Sequence, residues 1–377
     1  MHIQKLQLLN YKNYGELGLD FSERVNVLVG LNGSGKTNLL DAIYYLSFTK
    51  SAFAASDQHC MRKGESFFMV KGQFVKSSGT KEVMAAVQTG SRKVVREDNS
   101  EYQKLSDHIG RYPVIMIAPD DVDLVKEGSE SRRRFFDTII SQLDQAYLEN
   151  LIRYNHALKQ RNSLLKMFQE TGKPDWLAVE SYDHLLMVHG SPIANRRISF
   201  AQEFLPIFRK YFTYLVDDKE VAGLDFTSDI LKVGFAEGLY AHRQRDLALQ
   251  RTSFGIHRDD YLFTLGSGDL KRLGSQGQQK SFVIALKLAQ FEIVENYKEY
   301  KPILLLDDIF DKLDDRRIGR LLELIRRQFG QLFITDARPA RTVDLLRSVK
   351  VPATVFHVED GRIRLSEQSD AGEINRD

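Results

Sequence analysis

The chain has 377 residues, enough for one large domain or two ordinary ones with a substantial core. Lys and Arg number 53 against 51 Asp and Glu, a net of +2, so overall charge announces no nucleic-acid binder. A single cysteine, Cys60, excludes internal disulfides and any cysteine-cluster zinc site, and fits a reducing compartment. The charge is uneven: Lys50 to Arg111 holds 11 basic and 7 acidic residues, and Arg132 to Lys210 holds 12 and 8. Two mildly basic lobes beside an acidic remainder suit a polyanionic partner, and a solvated surface explains them equally well. No signal-peptide pattern follows Met1, and no apolar run approaches the ~20 residues of a membrane span. A soluble, cytoplasmic protein is expected.

Apolar residues at Ile3, Leu6 and Leu8 predict an opening strand that turns at Tyr14-Gly15. "VNVLVG" (Val25–Gly30) reads as a buried strand, and a helical pattern runs from Thr37 to Leu46. From Phe67 onward, "FFMVKGQFV", "KEVMAAVQT" and "KVVRED" read as short strands of an antiparallel lobe. "PVIMIAP" (Pro113–Pro119) is a further buried strand.

From Ser129 to about Leu215 helical spacing takes over. Phe136, Ile139, Ile140, Leu143, Leu148, Leu151 and Tyr154 define one apolar face. A break at "TGKPDW" (Thr171–Trp176) predicts a second run returning beside the first. The first run, roughly 40 residues, would reach about 60 Å as one unbroken helix, far short of a long coiled-coil arm. "LFTLGSGDLKRLG" returns to strand and turn, and "SQGQQKSFVIALKLAQFEIVENY" predicts a helix. "PILLLDDIF" predicts a buried strand, "RRIGRLLELIRRQF" a helix and "QLFITD" another strand. Alternation of this kind indicates a parallel α/β sheet. The polar tail after Ser366 is expected to fray.

"GLNGSGKT" (Gly30–Thr37) matches G-x-x-x-x-G-K-[ST] in full, between a buried strand and a helix. Its glycines let backbone N–H groups approach phosphate oxygens without a Cβ in the way. Lys36 would reach the β- and γ-phosphates of ATP, and the Thr37 hydroxyl would help hold Mg²⁺. The nucleotide set is Gly30, Asn32, Gly33, Ser34, Gly35, Lys36, Thr37 and Asn38. "ILLLDD" (Ile303–Asp308) is the expected partner, an apolar strand ending in carboxylates. Asp307 is placed for the magnesium shell and Asp308 to orient or deprotonate the attacking water, with Lys36 as the other catalytic group. Plain helix capping is the alternative for the two acids.

"RLGSQGQQKSF" (Arg272–Phe282) is a glycine-punctuated loop opening a helix, a natural anion site. With the double-carboxylate strand about 25 residues later and then "FDKLD" (Phe310–Asp314), it resembles the signature region of ABC-type ATPases. In that family the signature helix start contacts the γ-phosphate held by the other subunit. The gap between phosphate loop and signature is more than double that of transporter subunits, and the arrangement is similar to the chromosome-maintenance branch. Within it, "LLNYKNY", "NGSGKTNLLDAIYYLS", "PDDVDLVKEGSESRRRFFD", "HRDD", "GSQGQQKS" and "PILLLDDIFDKLD" resemble, in order, the RecF family of bacterial recombination mediators.

The resemblance implies an α/β fold: an ABC-type P-loop ATPase head with an antiparallel β lobe and an inserted helical domain. It implies head residues 1–125, a helical insertion over 126–216, and the second half of the head over 217–377. It implies an ATP-dependent homodimer in which Ser275, Gln276, Gly277 and Gln278 of one subunit close over ATP held by the other. The dimer would clamp duplex DNA near single-strand gaps and release it on hydrolysis. RecR and RecO are the implied protein partners, with RecA loading and the SOS response downstream.

Four departures from the family pattern stand out. "LSFTKSAFAASDQ" replaces a more basic, histidine-containing segment, and Gly255-Ile256 precedes His257 where the family tends to have proline. Thr335-Asp336 occupies the place of a γ-phosphate-sensing histidine, and Asp308 is one methylene shorter than the Glu of transporters. The last two predict slow hydrolysis suited to timing.

His257 and Arg258 read as phosphate or interface contacts, or as structural groups. Arg132-Arg133-Arg134 opposes the dipole of its helix, and calls for acidic neighbours (Glu127, Glu130) or an anionic partner. Arg62, Lys63, Arg92, Lys93 and Arg96 are the candidates for duplex DNA, through backbone contacts. The rivals are a transporter ATP-binding subunit, disfavoured by the long insertion, and an SMC-like tether, disfavoured by the lack of long heptads. A nuclease partner would have to bring its own acidic metal centre.

Overall fold

The computed structural model describes residues 1–216, 221–310 and 314–369. Residues 311–313 of "FDKLD", the expected domain boundary at 217 and the tail beyond 369 lie outside them. The chain divides into two compact units, one of Met1–Asp121, Tyr214–Asp217 and Val283–Asp377, the other of Val122–Thr213 and Asp218–Phe282. The second unit thus takes in the segment up to Phe282 together with the helical region.

The first unit is built on two six-stranded sheets. One runs in the order Arg362–Ser369, Ala353–Glu359, Val25–Val29, Leu332–Asp336, Ile303–Leu306, Val114–Ile117, parallel except at the first pair. "VNVLV" and "ILLL" are buried throughout, as continuous apolar runs in a parallel sheet must be. Val29 pairs with Asp336, and Leu306 with both Ile334 and Ile117. The loops after Val29, Leu306 and Asp336 therefore leave from one edge of the sheet, where parallel α/β sheets place ligands.

The other sheet is antiparallel: Tyr14–Asp20, His2–Tyr11, Phe67–Lys76, Gly79–Gln88, Val94–Glu97, Ser100–Glu101. The first turn falls at Lys12-Asn13 and not at Tyr14-Gly15, which open the returning strand. Lys12 takes the left-handed conformation there, with φ 52°. The helix Lys36–Phe48 joins the two sheets in one core. Leu39, Leu40, Ile43 and Leu46 cluster with Leu6, Phe68 and Phe74 and with Leu28, Val114 and Phe333. Each such leucine stabilises by about 1.5–3 kcal/mol, which fixes the helix start where the loop needs it.

The second unit is mainly helical. The expected single run breaks into Ser129–Leu143 and Gln145–Thr171 because Asp144 caps the latter, its carboxylate accepting from the Tyr147 N–H at 3.0 Å. The break changes the phase of the apolar face. Tyr147 and Tyr154 are buried, while Leu143, Leu148 and Leu151 are only partly so. The chain turns at Gly172 and returns as Trp176–Leu215, a 40-residue helix containing Pro192 and Pro206. Ala222–Thr227, Asp260–Leu265 and Gly268–Asp269 add a small antiparallel sheet.

Two fully buried arginines organise this unit. Arg161 bonds Asp183 at 2.6 Å, Asp246 at 2.7 Å and the Thr252 hydroxyl at 2.9 Å. Arg197 bonds Asp137 at 2.8 Å, Asp259 at 2.7 Å and the Ile256 carbonyl at 2.7 Å. Buried charges demand this degree of pairing.

Candidate functional site

The phosphate loop leaves the strand Val25–Val29 and enters the helix Lys36–Phe48 through Gly35. Gly33 and Gly35 have φ of 82° and 117°, both in the region that favours glycine. At Gly35 a Cβ would also lie 2.5 Å from Asn13 Nδ2 and 2.9 Å from the Tyr14 hydroxyl. The helix carries no acidic residue in its first turn to compete with an anion. Asn32 and Gly33 are exposed on the loop crest, while the Ser34 hydroxyl is buried and without a hydrogen-bond partner. Lys36 is buried, its ammonium donating to the carbonyls of Gly30 at 2.8 Å and Leu31 at 3.0 Å. That bend holds the charge over the loop.

The Thr37 hydroxyl lies 2.9 and 3.0 Å from the two Asp307 carboxylate oxygens. The loop and the end of the acid strand are therefore in direct contact. Burial pushes the Asp307 carboxyl up, and hydrogen bonds from Thr335 and Thr37 oppose that shift. Asp308 follows with φ 44° and is only partly buried. A hydroxyl and a carboxylate, both hard oxygen donors, fit Mg²⁺, which takes one or two protein oxygens and completes its shell with phosphates and water. No cluster of three or more His, Cys, Asp or Glu suited to a metal occurs among the described residues.

Two residues of "LLNYKNY" brace the loop from behind, a role its sequence did not disclose. Asn13 donates to the Ser34 carbonyl at 3.1 Å and accepts from Asn38 at 2.8 Å. Tyr14 donates to the Gly35 carbonyl at 2.9 Å. Nearby, the buried Asp41 receives Lys12 at 2.6 Å and the hydroxyls of Tyr11 and Ser51, each at 2.7 Å. Beside the loop opens a groove of about 880 Å³, lined by Lys12, Asn13, Asn38, Phe53, Arg62 and Lys63 among others.

The five cations proposed for DNA do not form one set. Arg62 and Lys63 are exposed at that groove. Arg92 and Arg96 are exposed and flank Glu101, at 3.1 and 3.9 Å. Lys93 is committed to the fold: its ammonium bonds Asp57 and the Thr49 carbonyl, both at 2.6 Å, over the Tyr45 ring.

The signature helix start lies in the second unit, with Ser275 and Gln276 exposed and Gly277 partly so. The Ser275 hydroxyl accepts from the Gln278 N–H at 3.2 Å, and the Gln278 side chain accepts from the Ser275 N–H at 2.8 Å. This reciprocal pair is a capping box.

Most of the basic residues left open by the sequence find partners within the same unit. Arg132 forms a two-pronged bond with Asp260 at 2.9 and 2.8 Å, Arg133 donates to the Asp259 carbonyl, and Arg134 pairs with Glu130. Glu127 gives Arg132 only its backbone carbonyl, because the better acid, Asp260, comes from 128 residues away. His257 is structural, held between the Tyr154 hydroxyl at 2.8 Å and the Thr252 carbonyl at 3.0 Å. Burial drives its pKa down to about 4, so it is neutral at pH 7. Arg258 beside it is exposed.

Among the described residues no helix is long and apolar enough to cross a membrane. The model of the RecF/RecN/SMC N terminal domain matches residues 2–363. The chain is 44% identical to the DNA replication and repair protein RecF of Cytophaga hutchinsonii, with both chains fully covered. It is 42% identical to that of Flavobacterium johnsoniae over 95% of this chain and all of that one. A structure of the recombination mediator protein RecF with ATP, in the RecFOR pathway, superposes with a TM-score of 0.88 at 27% identity, covering 97% of this chain and 98% of that one. An Smc head domain from Pyrococcus furiosus, at TM-score 0.54 and 18% identity over 97% and 96%, shares the fold alone. The fold is thus the ABC-type ATPase head with parallel and antiparallel sheets, and the chain belongs to the RecF family.

Proposed function

We propose that the chain is an ATP-dependent DNA-binding protein of recombinational repair and replication-fork maintenance. The observation that carries the reading is the Thr37–Asp307 contact beside the buried Lys36, which brings the phosphate loop and the acid strand together as a nucleotide site requires. The relative solved with ATP supports the nucleotide. ATP would lay its phosphates along the N–H groups of Gly33 to Asn38, with Lys36 turning from the loop carbonyls to the β- and γ-phosphates. The nucleoside would continue past Asn38 into the groove, where the exposed ring of Phe53 offers a stacking face. Thr37 and Asp307 would hold Mg²⁺, which when bound neutralises charge on the phosphate oxygens.

In hydrolysis Asp308 orients one water and takes its proton. The water oxygen bonds to the γ-phosphorus, the bond from that phosphorus to the bridging oxygen breaks, and its electron pair leaves with ADP. A second subunit would supply Ser275, Gln276, Gly277 and Gln278 to the same γ-phosphate. The ATP-joined dimer clamps duplex DNA near single-strand gaps, and loss of the γ-phosphate removes the contact that joins the halves. Slow turnover suits such a timer. Exposed Arg92 and Arg96, with Arg62 and Lys63, are the phosphate-backbone contacts. RecR and RecO as partners, RecA loading downstream and a cytoplasmic location follow from the family.

The test uses Asp308→Asn, which holds ATP without turning it over. Its mass in solution is measured with and without ATP, and with and without gapped duplex. An ATP-dependent doubling of mass that DNA reinforces supports the reading; a monomer in all four conditions overturns it.

A further inference from the structure

Two adjacent carboxylates after Ile303–Leu306 must serve one phosphate, yet neighbouring side chains on an extended strand point to opposite faces. The backbone therefore has to leave the strand geometry immediately. Asp308 does so with φ 44°, a left-handed conformation that a non-glycine residue keeps only where its surroundings hold it. One such contact comes from the neighbouring strand. Thr335, 1% exposed, donates its hydroxyl proton to Asp307 Oδ1 at 2.7 Å and accepts the Asp308 N–H at 2.9 Å. One hydroxyl can do both, because it carries one proton and two lone pairs. Its rotamer is restricted by β-branching, and its backbone is fixed in the sheet opposite Leu28.

The neighbouring Asp336 is engaged elsewhere. Its Oδ1 accepts from the Arg338 N–H at 2.7 Å and its Oδ2 from the Thr342 hydroxyl. Its carbonyl accepts from the Gly30 N–H at 3.3 Å. Its carboxylate is thus bonded to the turn and helix that follow its own strand, while the Thr335 hydroxyl bonds both members of the acid pair.

We infer that Thr335 is a positioning residue for ATP hydrolysis, setting the Asp307 carboxylate and the Asp308 backbone through one hydroxyl. The inference rests on the ATPase reading above. It is tested by Thr335→Val, which keeps the shape and removes the hydroxyl, against Thr335→Ser, which keeps the hydroxyl. Two quantities are read: turnover at saturating ATP, and the Mg²⁺ concentration that half-saturates binding of the slowly hydrolysed analogue ATPγS. The Val variant should lose about tenfold or more in kcat with KM for ATP within about twofold, and should need several-fold more Mg²⁺. The Ser variant should stay near wild type in both.

A Val variant with wild-type kcat and Mg²⁺ midpoint overturns the inference. So does a Ser variant as impaired as Val, since the methyl group would then be what matters. If circular dichroism shows Thr335→Val misfolded, Thr335→Ala carries the same two readouts. Wild-type protein that binds no nucleotide sinks the ATPase reading itself, a result separable from all of these.

Discussion

Ser275 and Gln278 cap each other at the start of the signature helix, at 3.2 and 2.8 Å. Two N–H groups that a phosphate would seek are therefore already satisfied within the chain, at a worth of about 1 kcal/mol. A weak anion does not displace such a box, whereas a γ-phosphate presented by a second subunit brings full charge to it. Ser275→Arg should leave ATP affinity unchanged while abolishing both ATP-dependent dimerisation and turnover. Sedimentation with ATP, beside a nucleotide-binding titration, checks both halves.

Lys36 is a cation whose loss should be felt at the nucleotide and not in the stability of the fold. Its ammonium bonds two loop carbonyls, so Lys36→Met removes charge-assisted bonds of about 1.5–3 kcal/mol to phosphate, or roughly 10- to 150-fold in ATP affinity. Thermal unfolding without nucleotide should move little, because those carbonyls belong to an open loop. Calorimetric titration against a melting curve separates the two effects.

Phe53 is expected to recognise the base and not the phosphates. It is 42% exposed at the groove beside Asn38. Phe53→Ala should weaken ATP by about 1–3 kcal/mol, the usual worth of base stacking on an aromatic ring, and leave inorganic tripolyphosphate unaffected. Equal losses for the two ligands would refute the assignment. Loss of duplex affinity with ATP binding intact would assign the groove to DNA.

His257 ties the stability of the second unit to pH. Its pKa is lowered from 6.5 to about 4, so between those values the unfolded chain binds the proton and the folded one does not. Stability from this group is complete above pH 6.5 and is lost progressively as pH falls toward 4, to at most about 3 kcal/mol. His257→Gln should flatten that part of the profile. Urea midpoints from pH 7 to pH 4.5 for the two proteins test the sign.

Arg161→Met should cost about 3–5 kcal/mol, since it strands the Asp183 and Asp246 carboxylates in a buried site. Replacing all three residues with apolar ones of similar volume should recover most of the loss. Equilibrium unfolding of the single and triple variants provides the comparison.

Much of the candidate site was legible because its motifs are linear. Glycines, Lys36 and Thr37 sit at fixed offsets in one loop, and two acids end one apolar strand. What stayed hidden depends on partners distant in sequence. Asp260 lies 128 residues from Arg132, and Gln331 bonds the Ile3 backbone across 328. Asn13 and Tyr14 belonged to a recognised block, yet nothing local showed that they buttress Ser34 and Gly35. Lys93 looked like a surface cation because its acid, Asp57, falls in a separate loop. Asp144 was overlooked for a different reason: a single capping carboxylate interrupts an apolar period that otherwise continues smoothly on either side.

The pairing of Val25–Val29 has a consequence for how the chain is made. Both its neighbours, Leu332–Asp336 and Ala353–Glu359, are synthesised about 300 residues after it. On a ribosome the antiparallel sheet, formed from residues 2 to 101, can close early. The strand that leads into the phosphate loop must wait, wholly apolar but for Asn26, until those two partners have been made. Nascent chains arrested before residue 332 should therefore carry an unclosed nucleotide site and a sticky strand, the natural ligand of a holdase chaperone.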